Sequence, residues 1–114
     1  MPRNTEIKIT VQLDDNKIPE KIEWEAEDAG FSGKKEAKTL LLSLWDNQDN
    51  TTLGIDLWTK EMKIDDMNIH IHQILLKLAD MCRRSTNNKE AADLIEKFSA
   101  NFAELVNLNS STQS

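Results

Sequence analysis

His70 and His72 are the residues best suited by type to hold a metal ion. Two imidazoles chelate together only when they share a face. On a helix, residues two apart point about 200° apart around the axis, so this pair would diverge. In a strand the pair would converge, but Ile71, Ile74, Leu75 and Leu78 recur at helical spacing. Ordinary surface or boundary histidines are the simpler reading, and no metal is assigned. Residues 46–57 superficially suggest a calcium loop, with Asp46 and Asn50 at ligand spacing. Thr51 stands where the turn glycine is needed and Leu57 where a bidentate glutamate is needed, so that reading is rejected. Asp65-Asp66 with His70 has the composition of an acid–base cluster, yet helix capping explains the aspartates more simply. Cys82 is the one cysteine, which excludes an internal disulfide and a cysteine-built zinc site. A reactive thiol wants a polar, electropositive setting. Arg83 and Arg84 flank Cys82, but it falls on an apolar helix face and reads as a small buried hydrophobe. Gly30, Gly33 and Gly54 form no phosphate loop, and no serine sits in GxSxG. No catalytic residue, metal ligand or cofactor is therefore assigned.

The elements that would carry these residues follow from periodicity. Ile7, Ile9, Val11 and Leu13 alternate with polar residues, as in a half-buried strand. Asp14-Asp15-Asn16-Lys17 is turn chemistry, and Ile22, Trp24 and Ala26 alternate in a second strand that begins near Pro19. Ser32 is expected to cap a helix from about Gly33 to Asn47, with Ala37, Leu40, Leu41, Leu44 and Trp45 on its inner face. After the polar run Asp46 to Asn50, the residues Leu53, Ile55 and Leu57 alternate in a third strand. Asp65 or Asp66 is expected to cap a second helix, about Met67 to Ser85, and Asn87 or Asn88 a third, about Lys89 to Asn107.

The order β-β-α-β-α-α predicts an α+β, two-layer domain over residues 1–108. In it, strand one lies between strands two and three of a mixed three-stranded sheet, and the helices cover one face. Residues 109–114 are expected to form a mobile polar tail. Three helices over three strands leave little volume for a substrate cleft of about 300 Å3 or more, which counts against an enzyme.

Composition narrows the partners. The chain has 114 residues, is 39% hydrophobic and 30% charged, and carries a formal charge of −6. That balance disfavours nucleic acid, whose phosphates need cations, and anionic lipid. It suits a protein partner with a basic patch. No stretch approaches the ~20 apolar residues of a membrane span, and the first residues lack a secretory apolar run, so a cytoplasmic location is expected.

Two features could bind a protein. By alternation Asp56 and Trp58 lie on the outer face of the third strand, with Lys60 and Glu61 following. An exposed tryptophan is a contact anchor; alternatively Met62 and Ile64 cover it as a small local core, the reading favoured by the rarity of large exposed apolar patches. Glu20, Glu23, Glu25, Glu27 and Asp28 form an acidic ridge that could steer a basic partner, or simply protect an edge strand from unwanted pairing. Trp24 and Trp45 are expected to face inward.

Glu6-Ile7-Lys8-Ile9, Leu13-Asp14, Pro19-Glu20 and Ala26-Glu27-Asp28 resemble the opening of the gliding-motility protein family GldC. Leu42-Ser43-Leu44-Trp45-Asp46 is similar to the ending of the family's first helix, and the specific run Leu53-Gly54-Ile55-Asp56-Leu57-Trp58-Thr59-Lys60-Glu61-Met62 and Asp65-Asp66-Met67 are similar to its central signature. The likeness covers about residues 6 to 80 strongly and the last helix weakly. It implies a non-enzymatic, cytoplasmic accessory protein of gliding motility in Bacteroidetes-type bacteria, with no catalytic residue to transfer. Its partners would be proteins of the motility or envelope apparatus. Joined to the residue-level reading, Asp56, Trp58, Lys60 and Glu61 become the expected partner-binding residues. Other readings are a small hydrophobic-ligand-binding protein, a small carboxylate-based hydrolase, and a homodimer formed through the Trp58 face.

Overall fold

The computed structural model describes residues 2–108; the expected tail at 109–114 lies outside them. Residue contacts gather into two compact units, Met1–Met62 and Lys63–Ser114, which are taken in turn.

In the first unit, β1 (Ile7–Leu13) and β2 (Pro19–Ala26) form an antiparallel hairpin. The pairs Ile7–Ala26, Ile9–Trp24 and Val11–Ile22 lie on one face, and Lys8–Glu25, Thr10–Glu23 and Gln12–Lys21 on the other. Pro19, which has no N–H to donate, takes the first position of β2. Asp14 closes the turn: its Oδ1 accepts from the amides of Asn16 at 2.8 Å and Ile18 at 3.0 Å. This is the side-chain turn that aspartate favours. Ile22 is 1% exposed and is the largest fully buried side chain among the described residues. Trp24 is half-buried and packs edge-on against Phe31, in keeping with its expected inward position.

The expected helix over 33–47 is not formed, and Ser32 caps nothing. The segment instead makes β3 (Lys35–Ala37), which pairs with β2, and β4 (Thr39–Trp45), which pairs with β5 (Thr52–Trp58). A short apolar run bounded by turn formers satisfies both helical and strand periodicity. Long-range pairing decides: β5 offers Leu57, Ile55 and Leu53 opposite Leu40, Leu42 and Leu44. Asp46 builds the connecting turn, its Oδ2 accepting from the amides of Gln48 and Asp49. A side chain at Gly54 would place its Cβ 3.2 Å from the Leu42 carbonyl oxygen.

The sheets therefore differ from the expected single mixed one. One is three-stranded in the order β1-β2-β3, the other is the two-stranded β4-β5, and all pairs are antiparallel. β1 does not separate β2 from β5, because β5 returns by a tight turn to β4 rather than by a helical crossover.

The second unit is a pair of helices, α1 (Ile64–Thr86) and α2 (Lys89–Leu105). Asp65 and Asp66 do not cap α1. Its cap is Lys63, without a side-chain bond, and the aspartates lie in the first turn, where they complement the helix dipole. Asn88 caps α2 as expected, its Oδ1 accepting from Ala91 N–H at 3.0 Å. Asn87 ends α1 at φ +55°. Among the described residues of this unit the buried ones are Ala79, Ala92, Ser99 and Ala103, small side chains that allow close backbone approach. Arg83 ties α1 to Asp93 at 3.1 Å and Glu96 at 2.7 Å on α2, and the two carboxylates raise its pKa. Among the apolar residues of α2, Ile95 and Phe102 are half-buried, whereas Leu94, Phe98 and Leu105 are exposed.

Candidate protein-contact site

The site is built on β5 and the residues after it. Strand alternation sends Leu53, Ile55 and Leu57 to one face and Asp56 and Trp58 to the other. Across the ladder, Asp56 stands opposite Leu41 and Trp58 opposite Thr39. Trp58 is 55% exposed. The face is also less polar than alternation within β5 alone predicts, because β4 adds Leu41 and Trp45. Trp45 is 67% exposed rather than inward, since the helix that would have turned it inward is a strand.

Past β5 the chain turns sharply. Thr59 N–H donates to Lys38 O at 2.9 Å, continuing the ladder by one pair, and Met62 N–H donates to Thr59 O. Thr59 is 4% exposed, and its Oγ1 has no hydrogen-bond partner among the described residues. Lys60 reaches back to the β1–β2 turn, its Nζ 3.1 Å from Asp14 Oδ2. Asp14 is held below the ordinary aspartate pKa, first by the Ile18 amide and then by Lys60 and Asn16, against an opposing desolvation. Glu61 is exposed and shares with Asp14, Pro19, Glu20, Thr59 and Lys60 a shallow groove of about 160 Å3.

The structure thus brings Asp56 and Trp58 onto one face and places Lys60 and Glu61 on an adjoining groove. Asp14, Leu41 and Trp45 join them without having been singled out for this surface. Turn chemistry marked Asp14 as structural, but nothing in the sequence pairs it with Lys60.

The acidic ridge is redistributed. β2 is the middle strand of its sheet, open only beyond the short β3, so edge protection does not explain its charges. Glu25 instead faces Lys8 across the ladder, and Glu23 lies 3.8 Å from Lys21. Glu6, Lys8, Glu25, Glu27 and Phe31 line an open groove of about 440 Å3. His70 and His72 both lie in α1, the helical setting in which a pair two apart diverges. Among the described residues no group of three or more His, Cys, Asp or Glu is placed to hold a metal ion, and no helix is long and apolar enough to cross a membrane.

Comparison with curated proteins and with solved structures gives no match. The model of one family, described as gliding motility-associated protein GldC-like, matches residues 19–108. This match reaches through α2, where the likeness read from the motifs is weak, and begins at β2 rather than β1. It contains the whole β4–β5 hairpin and the run from Leu53 to Met62. The chain belongs to the GldC-like family of gliding motility-associated proteins.

Proposed function

We propose that this chain is a non-enzymatic accessory protein of gliding motility that works by holding another protein against the outer face of β5. Trp58 is the anchor, Asp56 is its polar neighbour, and Lys60 and Glu61 form the charged rim. The observation that carries this reading is the exposure of Trp58 beside Asp56 on a strand that belongs to the family-matched segment. A large amphipathic ring set among charged groups is the composition of an interface hot spot. Lys60 is already turned toward Asp14, so part of the rim is ordered before a partner arrives, which lowers the entropic cost of binding.

The chain's formal charge of −6 favours a partner with a basic patch. The groove beside Phe31 is lined by Glu6, Lys8, Glu25 and Glu27, a charged lining that suits a polar contact better than an apolar ligand. The test is cross-linked affinity purification of the tagged chain from its native host, with Trp58→Ala in parallel. A motility or envelope protein recovered with the wild type and lost with the folded variant supports the reading. Equal recovery with both removes Trp58 from the contact surface.

A further inference from the structure

We infer that β4 is a dimerisation edge, where a second copy of this chain adds antiparallel to extend β4–β5 into a four-stranded sheet. This stands apart from the β5 contact surface and rests on the backbone.

The hydrogen-bond register shows which groups point outward. Thr59 N–H donates to Lys38 O and Asp46 N–H to Thr51 O, at the two ends of the β4–β5 ladder. Hydrogen-bonded pairs alternate with non-bonded ones in an antiparallel ladder. With no irregularity between those ends, Leu40, Leu42 and Leu44 direct their N–H and C=O groups to β5. Thr39, Leu41, Ser43 and Trp45 direct theirs away. β4 has no other strand neighbour, so this outer row has no ladder partner among the described residues.

Proteins usually guard such an edge with charge, proline or a bulge. β3 does so with Lys35 and Glu36. β4, Thr-Leu-Leu-Leu-Ser-Leu-Trp, has no charge, no proline and no bulge over seven residues. A two-stranded sheet is marginal by itself, and further strands stabilise it.

The strand is also self-complementary. Centred on Leu42, two copies overlap along the full length of β4. Thr39 then stands opposite Trp45 of the second copy, and Leu41 opposite its Ser43, as hydrogen-bonded pairs. Leu40 meets Leu44, and Leu42 meets Leu42. This register forms about eight new backbone hydrogen bonds and brings no charged residue into apposition.

The experiment is light scattering and native mass spectrometry on the full chain from low to high micromolar concentration, with Ser43→Lys and Ser43→Glu. Position 43 of each copy is diagonal to the other's across the two-fold, within reach of long side chains. The wild type is expected at twice 13.0 kDa. Each variant alone is expected to weaken dimerisation tenfold or more by like-charge repulsion, and an equimolar mixture to recover a heterodimer. A wild type that stays at 13.0 kDa throughout overturns the inference, as does a dimer indifferent to both substitutions. Should both variants unfold, amide exchange of the wild type decides: protection of Leu41, Ser43 and Trp45 that rises with concentration supports the edge, and protection independent of concentration overturns it.

Discussion

Replacing Ile22 by alanine tests where the stability of the sheet-bearing unit resides. Ile22 is 1% exposed, faces Val11 across β1–β2, and pairs with Ala37 of β3 on its other side. The substitution removes three carbons, about 2.4 kcal/mol at ~0.8 kcal/mol per buried methylene. Incomplete collapse around the missing atoms adds about 1 kcal/mol, so the cost should be about 3 kcal/mol, within the ~2–5 kcal/mol range of buried large-to-alanine changes. Leu53→Ala is the matched control. Leu53 is 54% exposed on β5, and losing the part of its side chain shielded from water should cost about 1 kcal/mol. Urea denaturation followed by tryptophan fluorescence measures both. At equal m-values, Ile22→Ala should move the midpoint by two to three times as much as Leu53→Ala. Equal shifts, or a loss under about 1 kcal/mol for Ile22→Ala, would refute the assignment of Ile22 as the principal buried side chain.

Asn88→Ala removes the one side-chain cap of α2. It should cost about 1 kcal/mol and lower helical circular dichroism near the midpoint, whereas Asn88→Ser should be close to neutral. For Asp14, the Ile18 amide and then Lys60 depress the folded-state pKa below the ordinary value of 3.8. Depression means that the charged form is favoured on folding. Its contribution is present above pH 3.8 and is lost as pH falls through the lower folded value. Carboxyl NMR titration should place Asp14 below the ordinary aspartate value, and Lys60→Met should raise its midpoint while leaving it depressed by the amides.

The β1–β2 hairpin, β5 and both helices are legible in the sequence because each depends on local signals. These are alternation with Asp14 at a turn, Pro19 at a strand start, and Asn88 before a helical stripe. β4 is not legible in that way. Leu40 to Trp45 is a near-continuous apolar run, and its strand state follows from β5, which turn chemistry at Asp46 to Asn50 sends back alongside it. That one reassignment accounts for the changed topology and for Trp45 emerging to solvent. Asp56 and Trp58 share a face because β5 is a regular strand, and alternation alone shows this in the sequence. Leu41, Trp45 and the Asp14–Lys60 ion pair could not be placed, since they depend on a cross-strand partner or on contacts between distant parts of the chain. Asp65 and Asp66 show the limit of composition at helix ends: either can cap or charge a first turn, and here both do the latter.

The central claim is that the outer face of β5 holds another protein. A photo-cross-linking amino acid at exposed position 56, which leaves the Trp58 anchor in place on the same face, with the same group at exposed Lys77 on α1 as control, tests it most directly in the native host. The account predicts one discrete adduct from position 56, reduced when Lys60 and Glu61 are both replaced by alanine, and no such adduct from position 77. No adduct at 56, or the same adducts from both positions, would contradict it.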